Sequence, residues 1–195
     1  MTARESILRK VRESVEVKQQ FFECNADRIE KLCQAMAQRF LQGRKLFVMG
    51  NGGSACDALH AAVEFKHPII NKRRPLQAEA LMADVATVSA ISNDIDFSRV
   101  FVQQLRLSAQ PGDMALAVST SGKSPNLIYA LEAARERGLM TIAFCGKDGG
   151  RLENIAEYCL TVPSFSIHRI QEVHSTLIHV MWDMIHVALG EEDVI

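Results

Sequence analysis

A chain of 195 residues, 48% of them hydrophobic, is long enough for one well-buried domain with appendages and too short for two full domains. Its net charge of −1, with lysines and arginines scattered among acids, leaves no basic stripe for nucleic acid, so a small-molecule site is expected. The five cysteines (Cys24, Cys33, Cys56, Cys145 and Cys159) are odd in number and form no Cys-x-x-Cys pair, which argues against a disulfide framework or a zinc ribbon.

Reduced thiols suit the cytoplasm. The N-terminus carries charges throughout where a signal peptide needs an apolar stretch, and no later segment is long enough to span a membrane, so no membrane association is expected. Thr2 with Glu5 forms a capping box, and Ile7, Leu8, Val11, Val15 and Phe22 follow at helical intervals. Asn25 to Asp27 can cap a second helix, whose stripe of Ile29, Leu32, Cys33, Met36, Ala37, Phe40 and Leu41 stops at Gly43. Two helices ahead of the first strand cannot both be sheet crossovers. At least one is expected to pack on a partner subunit.

From Lys45 strands and helices alternate. A strand at 45–49, a helix at 55–66 and a Pro-bounded basic loop, HPIINKRRP, lead to a second strand near 77–81. Val88 to Ile91 reads as a short helical turn before a loop at Ser92-Asn93-Asp94, and a helix follows over 97–108. Strands at 114–119, 140–145 and 158–162 alternate with a helix at 124–137, and a long final helix spans 168–189. This order implies an α/β fold with a parallel sheet covered on both faces.

In such a sheet, ligands sit beyond the carboxyl ends of the strands. The first strand breaks at Gly50-Asn51-Gly52-Gly53-Ser54 and runs into a helix, an arrangement in which glycines allow close approach and free helix amides face an anion. Ser119-Thr120-Ser121-Gly122-Lys123-Ser124 repeats the theme with four hydroxyls, and Ser92 to Asp94 is the third candidate loop. Gly122-Lys123-Ser124 lacks the first glycine of a P-loop, since Ala117 stands there inside a strand. Gly50-x-Gly52-x-x-Ala55 lacks the ribose-binding acid of a dinucleotide fold. Further along the same helix, His60 and Glu64 leave one face about 6 Å apart and offer a base and a metal ligand. His174, His179 and His186 on the last helix form no site alone, and a metal centre there needs His60 and Glu64 to complete it.

Taken together, Gly50-Asn51-Gly52-Gly53-Ser54, His60-Ala61-Ala62-Val63-Glu64, Asn93-Asp94, Ser119-Thr120-Ser121-Gly122-x-Ser124, Gly146-Lys147-Asp148-Gly149-Gly150 and Arg169-Ile170-Gln171-Glu172-x-His174-x-x-x-x-His179 resemble the phosphoheptose isomerases. These are the sedoheptulose-7-phosphate isomerases of the sugar-isomerase (SIS) domain superfamily. The resemblance runs from the N-terminal helices to the last helix, in order. It implies a single SIS domain over 1–195, a flavodoxin-like three-layer sandwich of about five parallel strands in 44–195, preceded by two helices in 1–43 used for oligomerisation. It further implies a homotetramer with sites at subunit interfaces, a sugar phosphate as ligand and one Zn2+ per subunit on His60, Glu64, Gln171 and His179. Asn51, Gly52, Gly53, Ser54, Glu64, Asn93, Asp94, Ser119, Thr120, Ser121, Ser124 and Gln171 would contact the substrate, with Glu64 and His179 moving protons.

Departures from the pattern bear on the sugar. Ala55 stands where some relatives carry histidine, and His168 where some carry aspartate. Phe65-Lys66-His67-Pro68 replaces a Thr-Gly-Arg whose arginine reaches the substrate, leaving Lys66, Arg73 or Arg74 as substitutes. The competing function is a non-catalytic SIS tetramer, similar to the replication-initiator-associating proteins. Retention of His60, Glu64 and His179 together weighs against it.

Overall fold

The computed structural model describes residues 1–70 and 73–193; Asn71 and Lys72 of the expected basic loop lie outside the described residues. The first element corrects the sequence reading. Helix α1 runs unbroken over Ala3–Leu41, opened by the expected Thr2–Glu5 capping box and closed ahead of Gly43, whose φ is +72°. Asn25 does not cap a second helix. Its side-chain amide donates to the Phe21 carbonyl one turn back, 2.8 Å away, and with neither proline nor glycine nearby the local cost of Asn and Asp is only a fraction of a kcal/mol, roughly 0.7 each. Phe21, Ile29, Leu32, Met36 and Phe40 form one buried stripe, with Asn25 on the same line.

Strands β1 (Leu46–Gly50), β2 (Ala78–Ala80), β3 (Met114–Val118), β4 (Met140–Gly146) and β5 (Tyr158–Val162) form one parallel sheet in the order β2-β1-β3-β4-β5. The helices are α2 (Gly53–Lys66), α3 (Val85–Asp94), α4 (Val100–Ser108, preceded by a 3-10 turn at Phe97–Arg99), α5 (Pro125–Glu136) and α6 (Ile167–Ala188). Side chains alternate across the sheet as strand geometry requires. Leu46, Val48, Met114, Leu116, Ile142 and Phe144 join α1, α2 and α6 on one face. Phe47, Met49, Ala115, Ala117, Ala143 and Cys145 join α4 and α5 on the other. The three-layer α/β sandwich thus stands as expected. Among the described residues no helix is long and apolar enough to cross a membrane.

Strand order places the crevice. Neighbouring β1 and β3 send their following helices to opposite faces, so the loops after them diverge and leave an opening at their carboxyl ends. Gly50–Ser54 and Ser119–Ser124 are those two loops. The third expected loop is not one: Ser92, Asn93 and Asp94 form the last turn of α3, with Asn93 and Asp94 exposed and the Asn93 amide 2.8 Å from the Asp94 carboxylate. Asp84 caps that helix through Thr87, which lets it grow past the short turn that Val88 to Ile91 suggested.

Candidate active site

The two loops are tied to each other and braced from behind. Asn51 and Asn126 exchange paired amide hydrogen bonds of 2.9 Å across the crevice, and the Asn126 carbonyl oxygen also accepts from the Leu127 amide at 3.0 Å. Gly52 takes φ +56° at the entry to α2. The side-chain amide of Gln171 on α6 lies directly against Gly53, where a Cβ would meet it. In the serine loop, Ser119 accepts from the Gly122 amide (3.0 Å) and Ser121 from that of Lys123 (3.3 Å), and accepting leaves each hydroxyl its own proton to donate. Ser124 precedes α5 yet makes no side-chain cap bond, so its hydroxyl is not spent on capping. Gly122, at φ +62°, sits so close to Gly149 that no side chain fits, and its carbonyl accepts from the Arg151 (2.9 Å) and Leu152 (3.2 Å) amides. The Gly146–Gly150 motif therefore acts as the buttress of the serine loop.

Two turns further along α2, a second group of side chains converges. His60 Nε2 lies 3.2 Å from Glu64 Oε1 and 3.0 Å from His179 Nε2, and potential ligand atoms of the three residues all fall within 4.8 Å of one another. The rings of His60 and His179 meet edge to face at 4.7 Å. The side chains of His60 and Glu64 remain 32% and 23% exposed, so water or a ligand can reach them. Two imidazoles and a carboxylate with space beside them make a donor set that fits a zinc ion with an open position, and the same groups can pass protons. Gln171 lies against Gly53, eight residues before His179 and so about 12 Å away along α6.

Beside the cluster, Glu64, His179, Trp182 and Asp183 line a cavity of about 530 Å³. Arg73 is buried behind it, paired with Asp183 and stacked on the Trp182 ring at 4.6 Å, while Arg74 pairs with Glu191 at 3.0 Å. Both arginines are thus engaged with α6 and the segment after it. Lys66 is exposed and lines a different hollow with Lys45 and Glu79. His174 and His186 are structural: His174 is fully buried, donates to the Cys145 carbonyl at 3.0 Å and is pushed down to about 4 by burial, and His186 pairs with Glu191.

Sequence reasoning missed Asn126 and Asp57. Asn126 directly follows the Ser124-Pro125 helix start, a polar residue where the helix turns inward. Asp57 stands between Gly53 and His60 on the same helical line, and burial pushes its carboxyl up to about 6, against the charge of His60.

The SIS domain family model matches residues 11–146. Phosphoheptose isomerases from Nitratidesulfovibrio vulgaris and Thermodesulfovibrio yellowstonii are 41% and 40% identical over 92% and 98% of this chain, and the matches cover 86% and 95% of those proteins. The chain belongs to the phosphoheptose isomerase family. The structure of the family member from Francisella tularensis superposes with a TM-score of 0.91 at 33% identity, over 96% of this chain and 100% of that one. That of GmhA from Neisseria gonorrhoeae gives 0.88 at 36%, over 94% and 98%. This chain is therefore a SIS-domain isomerase acting on a sugar phosphate, and the non-catalytic reading is not favoured.

Proposed function

We propose that this isomerase converts sedoheptulose 7-phosphate to D-glycero-D-manno-heptose 7-phosphate through an enediol. The observation that carries the reading is the meeting of His60, Glu64 and His179 within 4.8 Å, two helical turns from a glycine turn and a serine loop that both suit a phosphate. An enediol reaction needs one group to take a proton from carbon and another to serve the neighbouring oxygen. Glu64 is assigned the carbon and His179 the oxygen. Asn51, Gly52, Gly53, Ser54, Ser119, Thr120, Ser121, Ser124 and Gln171 are assigned to the phosphate and the sugar, with Asn93 and Asp94 reaching it from the end of α3.

His60, Glu64 and His179 would hold one Zn2+, which when bound supplies a Lewis acid for the ketose oxygens. Gln171 of the same chain is about two turns away, so its part in the metal set requires the long side chains to converge or a neighbouring subunit to supply one of them. A homotetramer with interface sites fits residues 1–43, because Ile7, Val11 and Val15 on α1 are 62%, 55% and 56% exposed in a row. On this reading, 44–195 forms the catalytic part of a single SIS domain over 1–195. Five unpaired cysteines support a cytoplasmic setting.

The test is turnover of sedoheptulose 7-phosphate by the purified protein, alone and after chelation. Turnover that chelation abolishes and zinc restores is expected. Full activity after metal removal would reduce the cluster to a proton relay, and no turnover would refute the assigned reaction.

A further inference from the structure

One polar group where α2 faces α6 has no task so far. Gly53, Asp57, His60 and Glu64 follow at intervals of 4, 3 and 4 residues and so share one face of α2. Contacts fix what that face looks at: Gly53 lies against Gln171, and His60 is 3.0 Å from His179, both on α6. The two helices therefore run side by side in one direction, and Asp57 lies between the anion-binding end and the histidine–carboxylate end. Asp57 is half-buried, and its Oδ2 is buried with no hydrogen-bond partner among the described residues, His60 included. An unmatched buried carboxylate oxygen costs stability. On the face of α2 that also carries His60 and Glu64, it is an acceptor whose donor the described residues do not supply.

A sugar phosphate gripped at the glycine and serine turns, with its carbonyl end at Glu64 and His179, has to lay its middle carbons past Asp57. Those carbons carry hydroxyls, which donate to a carboxylate. Resting on the isomerase reading above, we infer that Asp57 is a specificity-determining residue that accepts a hydrogen bond from a mid-chain hydroxyl of the sugar phosphate. A ligand with a methylene there leaves the carboxylate unmatched and is rejected, which is how a site built around a hydrogen bond discriminates.

The experiment compares the parent protein, Asp57→Ala and Asp57→Asn on sedoheptulose 7-phosphate and on monodeoxy analogues that each lack one middle hydroxyl. Asp57→Ala is expected to lose about 10- to 100-fold in kcat/KM on the full substrate, and Asp57→Asn, which keeps one acceptor, to lose less. One analogue should cost the parent a similar factor and cost Asp57→Ala nothing further. Inorganic phosphate, which fills only the turns, should inhibit all three proteins equally. With the unmatched oxygen gone, Asp57→Ala should melt about 2–4 °C higher, whereas loss of a structural contact would lower the melting temperature. Additive losses from the variant and every analogue, or an unchanged kcat/KM, would overturn the inference and leave the isomerase reading standing. Absence of turnover in the parent protein would overturn both.

Discussion

At the N-terminal end of α2, the glycine turn and the serine loop are held by the Asn51–Asn126 amide pair, by backbone bonds to Gly122 and by contacts too tight for a side chain. Further along the same helix, His60 and Glu64 touch each other and His179 while standing partly in water. The first region is held by contacts within the chain, so its donors are oriented in advance, which makes electrostatic binding effective. The second is more open, and among the described residues its recorded polar contacts are those of His60 with Glu64 and His179.

The largest effect should come from the more open end. Glu64→Gln should lower kcat about 10²- to 10⁴-fold and leave the melting temperature and inhibition by inorganic phosphate nearly unchanged. A normal rate would remove Glu64 from the chemistry. Next comes the braced end, where Gly122→Ala forces a side chain into φ +62° and against Gly149. It should cost about 1–3 kcal/mol of stability and raise KM more than it lowers kcat. A variant with normal KM would mean that the serine loop does not grip the substrate.

The braced end should also be the acid-sensitive one. His174 fastens α6 to β4 as a neutral ring, with a pKa near 6.5 in the unfolded chain and about 4 in the fold. The folded state therefore binds fewer protons between these values. The stability that the neutral ring allows is complete above pH 6.5 and is lost toward pH 4, by about 3 kcal/mol. Thermal unfolding across that range should show the decline, and His174→Gln, which can still donate to Cys145, should flatten it. The smallest effect is expected at Arg151, whose backbone amide braces Gly122 while its exposed guanidinium pairs with Glu132. Arg151→Ala should change stability by less than about 1 kcal/mol and leave turnover unaltered. A large effect would show that the brace depends on side chains.

Much of this was legible along the chain because the signals are local. Gly50–Ser54 and Ser119–Ser124 follow buried strands and open helices, and each lies where it was read. The alternation of apolar runs and helical stripes gave five strands in the right places. The errors fall where local signals compete. Asn25 to Asp27 looks like a cap, yet the stripe on both sides stays in phase and packing along α6 favours one long helix. Ser92 to Asp94 looks like a loop, yet the Asp84 cap lets α3 run through it. Arg73 and Arg74 are adjacent cations in a basic loop, and only their carboxylate partners on α6 and beyond it revealed how they are engaged.

The amino-acid order alone determined the element types, the anion-binding turns and the i, i+4 pairing of His60 with Glu64, because backbone propensity and helical spacing act over a few residues. Only the tertiary structure decided that His179 joins them and His174 does not, that Gln171 stays at Gly53, and that Asp57 is left without a partner. Those outcomes depend on the relative placement of α2 and α6, which is set by packing on a shared sheet between segments more than a hundred residues apart.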